Sequence, residues 1–244
     1  MDERRDVVKI TYIRWSMAII EIDGFIVVTD PVFRFLGLLG IGPPAYTIDQ
    51  LPQPDLILIS HRHFDHWDPW TMRRLRKDIP LVVRPWRIAD DARRLGYTDV
   101  RELPPWEETR VAGITVTATP AVHPGSEVGF VLQGEKAAYF GGDTSFSRED
   151  FAEIGKRFEL DAALLPIGGL RMLGQSGQLD PAQAVEALKL LRPKTVVSIH
   201  WGCAPTLPLL IDMPGTPQEL ARRVAEAQVN VAVRGMSPLE TVEV

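Results

Sequence analysis

The run His61-Arg62-His63-Phe64-Asp65-His66-Trp67-Asp68 places three imidazoles and two carboxylates within eight residues. Neutral imidazole is the commonest protein ligand for a transition metal, and carboxylate is a harder donor for the same ion. His61 and His63 are two residues apart, so in an extended segment they point the same way and can grip one ion. Asp65 and His66 belong to the following turn and can face a second position. The chain has only two other histidines, His123 and His200. With Asp143 they bring the set to seven nitrogen or oxygen donors, more than one tetrahedral ion accepts. Two ions roughly 3.5–4 Å apart, sharing one water and one carboxylate, would use all seven, with Asp143 as the natural bridge.

Each donor follows a segment that reads as a strand. The apolar run 55–60 is what a strand buried on both faces looks like, and it delivers His61. Residues 113–118 alternate and lead to His123, 137–140 end at Gly141-Gly142-Asp143-Thr144, and 195–199 deliver His200. Loops on one rim of a sheet can converge, which is what a metal site needs. Residues 7–12 and 17–22 read as two strands or one bent one. Asp23-Gly24 then suggests a hairpin into 25–29, ended by Asp30-Pro31 because proline cannot continue a central ladder. Asp68-Pro69 opens a helix expected to reach Lys77. Asp180-Pro181 opens the clearest helix, with Ala184, Val185, Leu188 and Leu191 on one face, and Pro193 ends it. A helix over 217–228 and one final strand close the chain.

Composition narrows the function. A chain of 244 residues with 45% hydrophobic content can bury a sizeable core, and with no internal repeat or linker it reads as one domain, 1–244. A net charge of -5 without a basic run gives no footprint for nucleic acid. The lone Cys203 cannot form an internal disulfide, residues 1–6 lack the apolar core of a secretory signal, and no apolar run approaches the ~20 residues of a membrane span. A cytoplasmic, soluble protein is expected. No sequence feature specifies an oligomeric state.

The order His61-x-His63-x-Asp65-His66, His123, Asp143, His200 resembles the motif of the metallo-β-lactamase superfamily, over nearly the whole chain. Within it the chain is similar to the branch holding ascorbate-6-phosphate lactonase and N-acyl-phosphatidylethanolamine phospholipase D. The supporting pieces are Thr29-Asp30-Pro31-Val32-Phe33, Gly141-Gly142-Asp143-Thr144, Leu165-Pro166-Ile167-Gly168-Gly169, Asp180-Pro181 with Ala184, and Ile199-His200-Trp201-Gly202. The resemblance implies an α/β fold, a four-layer αβ/βα sandwich of two mixed β-sheets. It assigns His61, His63 and His123 to a first metal, Asp65, His66 and His200 to a second, and Asp143 to the bridge. Zinc is the usual ion, and manganese and iron also occur. It implies a hydrolase whose metal-bridged hydroxide cleaves an ester-type bond, a lactone or a phosphodiester, with Asp65 as the catalytic carboxylate that orients the nucleophile and takes up a proton. The rivals are a di-iron redox protein, whose relatives usually bring an acid in place of one histidine and an attached flavin domain, and a metal-binding scaffold without turnover.

Two positions depart from the branch. Its members often carry Gly-His-Ala or Gly-His-Ser in the first strand pair, where this chain has Arg14-Trp15-Ser16. Many place a histidine just before the Asp-Pro of the late helix, where this chain has Gln178-Leu179. Other residues carry two readings each. Asp68 is a helix cap or a partner to a ligating histidine; Trp67 and Trp201 are buried aromatics or pocket walls. Arg14 and Arg171 are solvated or meet an anionic substrate, and Cys203 is a small buried residue. The apolar, glycine- and proline-rich segment 33–48 is a greasy loop or short helix at the mouth of the site, or a packing surface for a neighbouring subunit. With the apolar residues 207–213 it suggests a small-molecule substrate bearing an apolar group.

Overall fold

The computed structural model describes residues 7–34, 40–172, 175–202 and 211–244. Strands β1 (Lys9–Arg14), β2 (Met17–Ile22) and β3 (Phe25–Thr29) form an antiparallel meander. The turn at Asp23-Gly24 has φ of 52° and 83°, the left-handed pair that a tight hairpin requires. Strands β4 (Leu56–Ile59), β5 (Leu81–Val83) and β6 (Val100–Glu102) add to β3 in parallel. The seven-stranded sheet is completed on the other side by β17 (Thr241–Glu243), antiparallel to β1.

The second seven-stranded sheet has the same mixed character. Its antiparallel part is β7 (Glu108–Val111), β8 (Ile114–Pro120), β9 (Val128–Gln133) and β10 (Ala137–Phe140). Its parallel part continues from β10 through β11 (Ala162–Pro166), β14 (Thr195–Ile199) and β16 (Ala232–Arg234). The short strands β12 (Arg171–Met172), β13 (Gln175–Ser176) and β15 (Ile211–Asp212) form a small separate sheet.

The alternation of side chains along the strands sorts the core into layers. Leu56 and Leu58 of β4 join Ile10, Ile20 and Val27 against Val116, Phe130, Phe140 and Leu164 of the facing sheet. Ile57 and Ile59 point outward onto Met72 of α1 (Pro69–Arg74) and Ala92 of α2 (Ile88–Arg94). On the far side, Tyr139, Ala163 and Leu165 meet Ile154 of α3 (Arg148–Arg157), Leu188 of α4 (Pro181–Leu191) and Leu220 of α5 (Pro217–Glu226). The result is the four-layer αβ/βα sandwich of two mixed sheets expected from the sequence. Among the described residues no helix is long and apolar enough to cross a membrane.

Residues 7–22 are two strands, the first of the two expected alternatives, with a bulge between Tyr12 and Arg14. Other boundaries differ from expectation. Helix α1 stops at Arg74, not Lys77: Leu75 is extended, and the Lys77 ammonium turns back onto the carbonyls of Met72 and Leu75. α5 ends at Glu226, before Gln228 enters the left-handed region at φ 52°. The single final strand is two, one in each sheet. Strands β6 and β7 are three and four residues long and lack an apolar alternation that would announce them. Of the apolar segment 33–48, Phe33 and Ile41 are buried and Ile48–Gln50 is a 3-10 turn. Residues 35–39, Cys203 and residues 204–210 lie outside the described residues.

The contact between α3 and α4 offers a test of the outer layer. A Cβ on Gly155 would run into the Leu190 carbonyl oxygen and lie 3.0 Å from the Leu191 Cα, and helix backbone cannot step aside as a side chain can. Gly155→Ala is expected to cost about 1–3 kcal/mol. Urea unfolding should show a lower midpoint with an unchanged slope; an unaltered midpoint would contradict this close approach.

Candidate metal centre

β8, β10 and β14 run in the same direction, because β9 lies antiparallel between the first two and β10, β11 and β14 are parallel. Their carboxyl ends therefore share a rim, where open sheets present loops to ligands. His123, Asp143 and His200 follow these ends, and His61 follows β4 of the other sheet. After His61 the chain turns sharply: the His63 carbonyl accepts from the N–H groups of His66 at 3.0 Å and Trp67 at 2.8 Å. That turn swings Asp65 and His66 away from the position gripped by His61 and His63. His200 is held at φ 52°, its N–H donating to the Trp15 carbonyl at 3.0 Å.

The seven candidate donors come together in two groups. In the first, His63 Nδ1 lies 2.9 Å from His61 Nε2 and 3.1 Å from His123 Nε2. In the second, Asp143 Oδ2 lies 3.1 Å from both His66 Nε2 and His200 Nε2. Asp65 Oδ2 is 3.7 Å from His66 Nε2 and 3.6 Å from His200 Nε2. Each group offers ligand atoms within 4.8 Å of one another. Bonds of about 2.0–2.1 Å around a tetrahedral ion imply ligand-to-ligand edges of about 3.3 Å, and the observed edges bracket that value.

The donor chemistry fits a metal. Asp143 Oδ1 is buried with no hydrogen-bond partner among the described residues. Left so, it would cost about 1–3 kcal/mol. The opposite ring nitrogens of His61, His66 and His123 are tied down, as those of ligating histidines usually are. His61 Nδ1 faces Ser60 Oγ at 3.0 Å and Glu127 Oε1 at 3.3 Å. His66 Nδ1 faces Asp30 Oδ2 at 2.7 Å, and His123 Nδ1 faces the Gly177 carbonyl at 2.8 Å. The cluster is therefore able to bind a metal.

Two of these outer partners escaped the sequence reading. Asp30 served there to end β3 and as part of the resemblance, with no role at the site, yet its carboxylate also accepts from the N–H and hydroxyl of Ser60 at 2.8 and 2.7 Å. Glu127 was passed over, although an acid directly before an apolar strand is the signal that could have found it. It is buried and accepts from the Asp143 N–H at 2.6 Å.

The residues with two readings resolve towards structure. Asp68 accepts from the N–H groups of Trp70 and Thr71, both at 3.1 Å, and from the Thr71 hydroxyl at 2.6 Å, so it caps α1. Arg14 is neither solvated nor aimed at a substrate: it is buried and donates to the carbonyls of Val32, Arg34 and Gly42, tying down the edges of the apolar segment. Arg171 is exposed beside Asp212 at 3.9 Å. Trp67 is buried in the layer under β4, and Trp201 is half-buried with its indole donating to the Ser198 carbonyl at 3.0 Å.

The two groups hold protons differently. Burial, then the neighbouring His66, pushes His61 down to about 4. Burial likewise lowers His63 and His123, so the first group presents neutral rings. Burial alone would also lower His66 and His200, but Asp143 and Asp65 outweigh it and raise both. In return the two carboxylates, which burial would raise, are held below the usual range by those imidazoles. Burial and the adjacent Asp143 push Glu127 up to about 8.

A raised imidazole keeps its proton to higher pH, and an incoming cation must displace it. Were each group to take a cation, uptake by the second should therefore release more protons and weaken more steeply as pH falls than uptake by the first. Calorimetric titration of metal-free protein with zinc, in two buffers of different ionisation enthalpy, measures this. Equal proton release at both steps would contradict it.

Comparison with known proteins agrees with the geometry. Residues 26–201 match the Beta-lactamase superfamily domain. A UPF0173 metal-dependent hydrolase of Methanopyrus kandleri is 30% identical over 248 residues, covering 96% of this chain and 99% of the relative. An N-acyl-phosphatidylethanolamine-hydrolyzing phospholipase D of Caenorhabditis elegans is 29% identical over 80% of this chain, and the match spans 64% of that relative's own length. Among solved structures, the metallo hydrolase Igni18 of the archaeon Ignicoccus hospitalis superposes with a TM-score of 0.79 at 28% identity, covering 98% of both chains. With the motif in order, the sandwich around it and the match over most of its length, the chain belongs to the beta-lactamase superfamily.

Proposed function

We propose that this protein is a hydrolase of one catalytic domain, 1–244, that uses two divalent cations, zinc foremost, to cleave a phosphodiester, with a lactone as the alternative substrate. The observation that carries the reading is the adjacency of the two donor groups, with the His61 and His66 rings 4.1 Å apart between centroids, and the placement of Asp143 in the second. Its Oδ2 faces His66 and His200, while its Oδ1 is buried and has no hydrogen-bond partner among the described residues. In this reading His61, His63 and His123 hold the first cation, Asp65, His66 and His200 the second, and Asp143 lies between. Cations bound there supply Lewis acidity and lower the pKa of water from 15.7 towards ~7.

The chain's own residues do the rest. Asp65 belongs to the second group, where its carboxylate orients the attacking oxygen and receives a proton. The Trp15 indole, donating to Asp65 Oδ2 at 3.0 Å, fixes which oxygen is free to do so. Asp30 and Glu127 hold the rings of His66 and His61 in one orientation, so the donors need no reorganisation when substrate arrives. Phe64 and Val122 are 57% and 45% exposed, each one residue from a histidine of the first group. They offer an apolar rim, which supports a small-molecule substrate carrying an apolar group. The phospholipase D relative supports the phosphodiester side of the reading.

Zinc-loaded protein should hydrolyse bis(p-nitrophenyl) phosphate, lose the activity to a chelator and regain it with zinc. Asp143→Ala should lower kcat about 100-fold or more, a loss in the range seen when a group stabilising transition-state charge is removed. Elemental analysis should show metal content falling from about two equivalents to about one. Full activity in that variant would sink the bridging role, and protein that takes up no metal would sink the whole reading. Phe64→Ser should raise KM for long-chain reporters and spare short ones; equal effects on both would remove the apolar rim from the argument.

A further inference from the structure

His61, His66 and His123 each turn Nδ1 to an oxygen that fixes the ring. His200 does not. Its Nδ1 is buried with no hydrogen-bond partner among the described residues. Ligating imidazoles are usually oriented through that second nitrogen, so something else must set this ring.

Two side chains bracket it. The Trp15 ring lies against the His200 ring, with centroids 3.6 Å apart at 43°, and the Trp15 carbonyl receives the His200 N–H. On another side, Gln178 Nε2 lies 3.2 Å from His200 Nε2. The same two residues hold the two carboxylates of the second group. Trp15 Nε1 donates to Asp65 Oδ2 at 3.0 Å, and Gln178 Nε2 donates to Asp143 Oδ2 at 3.0 Å. A carboxylate oxygen has two lone pairs, so one can take the N–H while the other faces a cation.

Both side chains are themselves fixed. Trp15 and Gln178 are 3% and 0% exposed. Trp15 sits in the left-handed region at φ 56°, its N–H donating to the Tyr12 hydroxyl at 2.8 Å. Gln178 lies between Gly177, whose carbonyl takes His123 Nδ1, and Leu179, whose N–H donates to the Thr144 carbonyl at 3.1 Å. These are also the two positions at which the sequence departs from the branch it resembles. Where histidines are expected there, this chain carries an indole and an amide, donors that stay neutral and keep their N–H at any working pH.

We infer that Trp15 and Gln178 are positioning residues of the second cation position, orienting Asp65, Asp143 and His200. The inference rests on the two-cation reading proposed above. Trp15→Phe keeps a ring face on His200 and removes the N–H; Gln178→Leu keeps the shape and removes the amide. Zinc affinity is measured for each equivalent by competition with a chromogenic chelator, with circular dichroism to confirm folding. The cobalt-substituted protein reports ligand geometry through its visible absorption.

In each variant the weaker-bound or stronger-bound equivalent assigned to the second position, identified by the cobalt band that Asp65→Asn alters, should lose 10–100-fold in affinity, the usual cost of removing such an outer partner. The other equivalent should be unchanged. If Trp15→Phe does not fold, Gln178→Leu carries the test. Folded variants that bind both equivalents like wild type, or that weaken both equally, would overturn the inference. Wild-type protein that takes up one equivalent would instead overturn the two-cation reading, and this inference with it.

Discussion

Seven donor side chains facing each other at one rim, the second group buried and the first opening to solvent at His63, are the constraint from which the rest of this structure follows. Atoms as close as His61 Nε2 and His63 Nδ1, or His66 Nε2 and Asp143 Oδ2, gain little from one another without a cation or a proton between them. A folded domain has about 5–15 kcal/mol of net stability, and an unsatisfied buried polar group costs about 1–3 of it. A cluster of this kind is affordable only on a large apolar scaffold, or when the ligand that satisfies it is bound. The core between the two sheets, from Ile10 to Phe140, is that scaffold. Metal binding and folding stability are thereby linked.

The same constraint accounts for backbone strain at three positions around the site. Trp15, Asp30 and His200 all adopt positive φ without being glycine. Such residues cost of order 1–3 kcal/mol each and persist where the surroundings over-determine them. Here the surroundings do: the Trp15 carbonyl takes the His200 N–H, and the Asp30 N–H donates to the Leu58 carbonyl at 2.9 Å while its carboxylate holds Ser60 and His66. The strained residues sit where strands end and the chain must turn a side chain back over the rim.

The donors themselves were legible in the sequence because their signal is local. Histidines two apart, an acid-histidine pair in the next turn and single donors after apolar runs are visible without knowing the fold. Helix starts were legible for the same reason, since Asp68-Pro69 and Asp180-Pro181 carry their own caps. What was not legible acts across long separations. Trp15 meets Asp65 across 50 residues, Asp30 meets His66 across 36, and Gln178 meets Asp143 across 35. No period or spacing encodes such pairs. The end of α1 was misjudged because a lysine two residues beyond its cap, rather than a glycine or proline, satisfies the last carbonyls.

The two donor groups are unequal, and the inequality bears on what they can do. Apart from the carboxylate of Asp143 proposed to lie between the groups, the first group offers only neutral imidazoles, so a borderline cation held there would keep much of its charge. The second group adds two carboxylates, and Coulomb attraction there is strengthened by burial. On the two-cation reading proposed above, a cation there would be more fully neutralised. Polarising a substrate oxygen would then suit the first group, and Asp65 would orient the nucleophile at the second. The division follows from which loops carry acids, and the sandwich needs only to bring those loops to one rim.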